Sequence, residues 1–295
     1  MLEGFETARL DLGAAEIHLR HGGEGPPLLL LHGYPQTHLT WRLVAPLLAR
    51  HFTLVMPDLR GYGASSGPVP DAENRHYAKR AMAADMVAVM QRLGHERFAL
   101  AGHDRGGRVA YRLCLDHPER VSAFAAVDVV PTIELWEGLD AASAIAAWHW
   151  PFLAQPAALT EPVLAAASET IIASFLRGWA GTPDALAPEA MAAYLAQFER
   201  PSVIAATCAD YRAGATTDRA DDAADRTAGK RIACPILTLW GRDYIGDAEP
   251  TPVTLWRRWA DRVEGHSLPC GHFLQEEAPD TLAEAMIAFF LANPA

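Results

Sequence analysis

The chain has 295 residues, 50% of them hydrophobic and 21% charged, which is enough for one large core. Its formal net charge of −11 argues against nucleic acid or an anionic membrane as a partner. The same charge would repel an anionic substrate in bulk solution, so a site for such a substrate needs its own local cations.

The N-terminus and the cysteines indicate the cellular compartment. The opening residues MLEGFETARLDLG are charged from the third position and lack the apolar stretch of a signal peptide. The longest purely aliphatic run, 28–31, is far below the roughly 20 residues of a membrane span. The four cysteines, Cys114, Cys208, Cys234 and Cys270, show neither paired nor metal-ligand spacing. We therefore expect a soluble, cytoplasmic protein with reduced thiols and no membrane partner.

The N-terminal part alternates between strand-like and helix-like patterns. Residues 5–21 predict two strands joined near Gly13, and further strands are predicted at 27–33, 52–58, 97–104 and 121–130. Helical spacing covers 39–50, 80–93 and 105–118. Strands that alternate with helices predict a mostly parallel, doubly wound α/β sheet with both faces covered.

The alternation stops at about residue 131 and resumes at about residue 230. Residues 131–229 are rich in alanine, helix-like and interrupted by prolines. Strands at 234–241 and within 262–272 and helices at 252–260 and 282–291 follow. We predict a core made of 1–130 and 230–295, with 131–229 as an inserted helical cap. Within that cap, the acidic stretch 216–227 is expected to be a solvated loop.

Three titratable residues follow predicted strands in chain order: Asp104, Asp128 and His272. Such strand ends meet at one crevice in a doubly wound sheet, and the order nucleophile, acid, histidine is typical of the α/β-hydrolase fold. Asp104 lies in the frame Gly102-His103-Asp104-Arg105-Gly106, whose glycines would relieve crowding around a strained nucleophile turn. The alternative interpretation makes Asp104 an ordinary helix N-cap.

Asp243 competes with Asp128 as the acid that orients the histidine. Many members of this fold carry that acid after a later strand, usually three residues beyond a glycine. Asp243 lies two residues beyond Gly241, whereas Asp128 ends a predicted strand. We therefore favour Asp128.

Several motifs together resemble the fluoroacetate (haloacetate) dehalogenases of the α/β-hydrolase fold: LLLLHGYPQTHLTW, DLRGYGASS, GHDRGGR, WHWPFLAQP, CADYRAG and PCGHF. The resemblance implies that Asp104 displaces halide to form an ester, which water activated by His272 and Asp128 then hydrolyses to glycolate. The backbone N–H groups of Tyr34 and Arg105 would form the oxyanion hole. This chemistry needs neither a metal nor an organic cofactor. The resemblance also implies a homodimer.

The same resemblance assigns the substrate contacts. Arg105 and Arg108 would hold the substrate's carboxylate in a two-pronged grip, and the alternative is that they form surface salt bridges. His149, Trp150 and Tyr211 would donate to the halide, although without the resemblance the aromatic cap residues would be assigned to a packing core. Trp179 is a weaker addition to this pocket.

Three rival functions remain open. A haloalkane dehalogenase usually has tryptophan after the nucleophile, where this chain has Arg105. An epoxide hydrolase would use the same Asp–His pair with two cap tyrosines, for which Tyr194 and Tyr211 are candidates. A binding protein without turnover would keep the fold and the cavity but lose a catalytic group.

Overall fold

A single mixed sheet forms the centre of the molecule. The computed structural model describes residues 1–182 and 184–294. In this part of the chain, eight strands lie in the order β1-β2-β4-β3-β5-β6-β7-β8. Their bounds are β1 Glu6–Asp11, β2 Glu16–Gly22, β3 Pro27–Leu31, β4 Thr53–Pro57, β5 Phe98–His103, β6 Val121–Val127, β7 Ile236–Gly241 and β8 Val263–Leu268.

The sheet is antiparallel only at its first edge. β1 pairs with β2, and β2 with β4, in antiparallel register. The remaining neighbours, β4 with β3, β3 with β5, β5 with β6, β6 with β7 and β7 with β8, pair in parallel register. The central strands β5, β6 and β7 are buried along their whole length, as expected of strands covered on both faces. The predicted mostly parallel α/β sheet is confirmed.

Helices cover both faces of the sheet, and a run of helices lies between β6 and β7. Those of the first part are α1 Ala45–Leu48, α2 Lys79–Arg92 and α3 Asp104–Asp116. The segment between β6 and β7 contains α4 Thr132–Glu137, α5 Ala141–Ala146, α6 His149–Leu153, α7 Ala157–Ala166, α8 Ser168–Gly178, α9 Pro188–Ala196, α10 Pro201–Ala215 and α11 Thr217–Thr227. The last part has α12 Pro252–Trp256, α13 Leu274–Glu277 and α14 Pro279–Ala292.

The helix predicted at 39–50 is divided into a 3-10 turn, His38–Arg42, and the short helix α1. Pro46 lies in the first turn of α1 and has no N–H to donate, so an α-helix cannot continue through it from the preceding turn. Proline at the first position also starts α9, α10, α12 and α14, where its missing N–H costs nothing.

The prediction of a solvated loop at 216–227 is wrong. This stretch is α11, and the carboxylates of Asp218 and Asp222 are buried on one side of it. Asp222 accepts from Arg112 on α3 at 2.8 Å, and Asp218 accepts from the backbone N–H of Lys79 at 2.8 Å. These partners are more than a hundred residues away in sequence, so the acidic composition alone could not reveal them.

In the described residues, no single helix is long and apolar enough to cross a membrane. The consecutive helices α7 and α8 meet that requirement only when they are taken together, and they are bent by 83° at their junction.

The turn between β5 and α3 is closely packed. A Cβ atom at Gly102 would lie 2.6 Å from the carbonyl oxygen of Gly106, and one at Gly106 would lie 2.4 Å from the carbonyl oxygen of His32. Both distances are far below van der Waals contact, and both obstacles are backbone atoms. Glycine at these two positions is therefore a steric requirement of the turn.

Gly106→Ala should destabilise the protein by about 3 kcal/mol or more, because the backbone around the turn must shift to admit the methyl group. Gly178→Ala is the matched control, since a Cβ atom at this helical position meets nothing within 4 Å. The control should be neutral or stabilising by up to about 1 kcal/mol. Urea unfolding measures both free energies, and equal stability of the two variants would contradict the steric requirement.

Candidate active site

Asp104 occupies the strained position of the turn. Its φ of 46° is in the left-handed region, which residues other than glycine rarely adopt. His103 is the N-cap of α3, and Asp104 is the first helical residue. The Asp104 carboxylate accepts from the backbone N–H of Tyr34 at 2.8 Å rather than from its own helix. The side chain therefore does not cap α3, and the turn presents it to the space above the sheet.

The surroundings of Asp104 favour its anionic form. Burial alone would raise the pKa of this carboxyl, but the nearby His272 and Arg105 outweigh burial and leave the pKa lowered. Asp104 is also at the N-terminus of α3, where the helix dipole stabilises negative charge. An ionised carboxylate that keeps a free oxygen can act as a nucleophile.

His272 and Asp128 form a buried pair beside this carboxylate. The Nδ1 atom of His272 lies 2.5 Å from Oδ2 of Asp128, whose Oδ1 accepts from the backbone N–H of Gly241 at 2.8 Å. The competing Asp243 is exposed and forms no hydrogen bond with His272. Of the two candidate acids, Asp128 is therefore the one bonded to His272. Burial raises the pKa of Asp128 despite the hydrogen bond from His272.

The backbone of His272 is held from both the core and the cap. Its carbonyl oxygen lies 2.8 Å from Nε2 of His103, and its N–H donates to the carbonyl oxygen of Trp179 at 2.8 Å. Burial and the neighbouring His272 lower the pKa of His103 to about 3, so this ring is neutral and donates through Nε2. The cap therefore helps to fix the position of the histidine.

Arg105 and Arg108 are both buried, which excludes the surface salt-bridge interpretation, but their partners differ. Arg105 donates through Nε and Nη2 to the carboxylate of Asp210 at 2.9 and 2.8 Å. Arg108 donates through Nη1 to two neutral acceptors, the carbonyl of Val130 at 3.0 Å and the hydroxyl of Thr132 at 3.2 Å. Burial and the charge of Arg105 lower the pKa of Arg108, as expected of a cation with little compensation.

The three predicted halide ligands come together in the cap. The ring centroids of His149, Trp150 and Tyr211 lie 5.3 to 6.2 Å from one another. The guanidinium carbons of Arg105 and Arg108 lie 4.9 and 4.5 Å from the ring centroid of Trp150. Such distances are typical of cation–π contacts, which tie this aromatic group to both arginines.

His149 is a neutral member of this group. Its ring is buried, and burial lowers its pKa to about 3. Its Nδ1 atom has no hydrogen-bond partner among the described residues. The ring can therefore offer an N–H group to a ligand without adding a full charge to the site.

A cavity of about 580 Å³ opens onto these groups. Its lining includes the four groups Asp104, Asp128, His272 and Arg108 and the aromatic residues His149, Trp150 and Trp179. Arg105 and Tyr211 do not contribute to this wall. Apolar side chains, among them Val129, Leu135 and Leu255, and the charged residues Glu134, Glu137 and Arg258 line the cavity as well.

Sequence reasoning missed two groups of residues at the site. Asp210 and Lys79 form buried ion pairs next to Arg105, but their spacing along the chain carries no signal of this. Tyr244 lines the cavity and its ring lies 4.4 Å from that of His272. Its position in WGRDYIG, just after β7, could have indicated a place at the strand ends.

One group of residues in the described chain has ligand atoms close enough for a metal ion: His18, His38 and Asp58. Oδ1 of Asp58 accepts from the backbone N–H of His38 at 2.9 Å and lies 2.7 Å from Nδ1 of the same residue. Oδ2 accepts from the backbone N–H of Ala64 at 2.7 Å and lies 3.2 Å from Nδ1 of His18. Burial would raise the pKa of Asp58, but the neighbouring histidines outweigh burial and leave the pKa lowered. We assign the group a structural role in the loop after β4.

Comparisons with known proteins agree with this geometry. Residues 26–279 match the family described as "alpha/beta hydrolase fold". The chain is 42% identical to a fluoroacetate dehalogenase of Burkholderia sp, over 98% of this chain and 95% of that protein. It is 30% identical to a soluble epoxide hydrolase of Corynebacterium sp., over 93% of each. A crystal structure of a Nostoc sp protein described as an alpha/beta hydrolase superposes with a TM-score of 0.95, at 47% identity, covering 98% of this chain and 99% of that chain.

Proposed function

The chain belongs to the haloacetate dehalogenase family of the α/β-hydrolase fold, and we propose that it hydrolyses haloacetates, converting fluoroacetate and water to glycolate and fluoride. One observation carries the proposal. A nucleophilic carboxylate, Asp104, shares a cavity with a buried guanidinium, Arg108, whose own hydrogen bonds go only to neutral acceptors. A substrate carboxylate would supply the missing negative charge and place its α-carbon near Asp104.

In the first step, an oxygen of Asp104 attacks the α-carbon and the carbon–halogen bond breaks, with its electron pair leaving on the halide. The product is an ester between Asp104 and glycolate. The two-pronged grip of a guanidinium on a carboxylate fixes the orientation that this displacement requires. No proton is transferred, so the step uses the ionised carboxyl that the surroundings of Asp104 favour.

In the second step, His272 removes a proton from water, and the water oxygen attacks the carbonyl carbon of the Asp104 ester. The bond between that carbon and the glycolate oxygen then breaks, and glycolate leaves with the proton that His272 returns. Asp104 is left as a carboxyl group, which loses its proton to solvent and becomes a carboxylate again. Asp128 holds the imidazole through Nδ1, leaving Nε2 to act as the base. The Tyr34 N–H already donates to an oxygen of Asp104. The Arg105 N–H belongs to the first turn of α3 and has no acceptor within the helix, so both can stabilise the oxyanion.

Fluoride leaves with a concentrated negative charge and needs strong hydrogen-bond donors. We assign this task to the N–H groups of His149 and Trp150 and the hydroxyl of Tyr211. A neutral His149 supports the assignment, because it can donate to the departing fluoride without forming an ion pair with Asp104 in the resting enzyme. Trp179, whose ring centroid is 4.6 Å from that of His149, completes the aromatic wall.

The epoxide hydrolase alternative is supported by the 30% identical relative but less well by the site. An epoxide oxygen would be polarised by two cap tyrosines. The Tyr194 hydroxyl instead donates to the buried Glu276 at 2.5 Å, so it is already engaged. Only Tyr211 then remains of the pair considered, and a cationic site would be of no use to a neutral epoxide.

Incubation with fluoroacetate, with release of fluoride followed by an electrode, tests the proposed activity. Chloroacetate and 2-chloropropionate serve as further acids, and the second tests whether the site accepts a substituent on the α-carbon. Styrene oxide tests epoxide hydrolysis in parallel, and Asp104→Asn provides the inactive blank. We expect halide release from the acids by the wild-type protein only. Diol formation without halide release would overturn the proposal in favour of an epoxide hydrolase.

The role of Arg108 predicts a change in selectivity between charged and neutral substrates. Arg108→Met should lower kcat/KM for chloroacetate by about 100-fold, because the reacting carbon is no longer aligned. The loss for chloroacetamide, which has similar size but no charge, should be much smaller. Kinetics of both substrates with both proteins measure the effect, and equal losses would show that Arg108 does not recognise the carboxylate.

A further inference from the structure

We propose that Asp210 is a positioning residue that holds the Arg105 guanidinium away from the nucleophile and leaves Arg108 as the uncompensated cation for the substrate. The inference rests on the proposed function and extends it. It assigns different tasks to two arginines that the sequence motif presents as equivalent.

The contact between Arg105 and Asp210 is extensive. Nε and Nη2 of Arg105 donate to the two carboxylate oxygens, and Nη2 also donates to the Asp210 carbonyl at 3.0 Å. Both side chains are fully buried. Such a fork-like grip fixes the plane of the guanidinium as well as its distance. The nitrogen that remains is Nη1, which is buried and has no hydrogen-bond partner among the described residues.

Asp210 is itself held by neighbours outside the cavity. Its Oδ1 pairs with Nζ of the buried Lys79, and its Oδ2 accepts from the Tyr62 hydroxyl at 2.7 Å. Lys79 pairs in turn with Asp218 on α11. The group of Arg105, Lys79, Asp210 and Asp218 therefore contains two positive and two negative charges. Arg105 is compensated from α10 before any substrate arrives.

This compensation matters because Asp104 is adjacent to Arg105 in the chain. A guanidinium without a carboxylate of its own would be free to pair with Asp104. Such an ion pair would occupy the oxygen that must attack carbon, and it would reduce the negative charge on Asp104 that the attack requires. The Arg105 guanidinium also lies 4.2 Å from the Tyr211 ring centroid and 4.9 Å from that of Trp150. Its displacement would disturb the aromatic group as well.

The test begins with Asp210→Asn, which keeps the size of the side chain and removes its charge. We expect kcat/KM for chloroacetate to fall by about 10- to 100-fold, with kcat lowered as well as KM raised. Asp218→Asn is the matched control, since it removes a carboxylate from the same charged group without touching Arg105. It should change kcat/KM by less than about 2-fold even if it lowers the unfolding midpoint to a similar extent.

A double-mutant cycle separates positioning from general destabilisation. If Asp210 acts through Arg105, Asp210→Asn should have little further effect on kcat/KM in an Arg105→Ala background. Additive losses in the cycle would overturn the proposal. If Asp210→Asn does not fold, Tyr62→Phe replaces it in the same cycle. This change removes only the 2.7 Å hydrogen bond to Asp210, and we expect a loss of a few-fold that disappears in the Arg105→Ala background.

A binding measurement makes the two proposals distinguishable. Calorimetric titration with acetate needs no turnover, and Asp210→Asn should weaken acetate binding about 10-fold where Asp218→Asn does not. Absence of halide release by the wild-type protein would refute the proposed function alone. Unchanged acetate affinity in Asp210→Asn, or an additive cycle in an active enzyme, would refute the positioning role alone.

Discussion

The site depends on keeping the Asp104 carboxylate anionic and free of a direct ion pair while positive groups lie nearby. A buried carboxylate needs compensating charge to stay ionised, yet a direct ion pair would occupy the oxygen needed for attack. The fold meets both conditions by giving neighbouring groups partners of their own. His272 is bonded to Asp128, Arg105 is bonded to Asp210, and Asp104 itself accepts from a backbone amide. His272 and Arg105 then lower the pKa of Asp104 through space and not through a direct hydrogen bond.

Arg108 completes this arrangement because it pairs with no acidic side chain in the described part of the chain. Its neutral acceptors orient the guanidinium without cancelling its charge. A protein with a net charge of −11 then still offers a local cation to an anionic substrate. The cap contributes the third element, a wall of aromatic rings around a neutral histidine. The proposed attacking group and the cation both come from α3, and the proposed halide donors come from α6 and α10.

Much of the fold, and the convergence of Asp104, Asp128 and His272 at one cavity, could be predicted from the sequence because the signals are local. Buried strands appear in the sequence as short apolar runs. The turn around Asp104 is recognisable from Gly102 and Gly106, because the packing of the turn requires glycine at both positions. Asp128 and His272 are recognisable since strand ends converge in a parallel sheet. These are properties of residues within a few positions of one another.

What could not be predicted arises from pairs that are distant in sequence. Asp210 lies 105 positions after Arg105, and a composition that indicates a solvated acidic stretch cannot reveal that α11 packs its carboxylates against α2 and α3. The unequal pairing of the two arginines has the same origin. Their spacing is consistent with two identical ligands, and only the position of α10 makes one of them compensated.

Covalent attack by Asp104 is the central step of the proposed mechanism, and a single turnover in water enriched in ¹⁸O tests it most directly. With enzyme in excess over fluoroacetate, the hydroxyl oxygen of glycolate should be light, because it comes from the carboxylate of Asp104. The peptide that contains Asp104 should gain one heavy oxygen, detected by mass spectrometry. Heavy oxygen in the first glycolate formed, together with an unlabelled Asp104, would contradict the account.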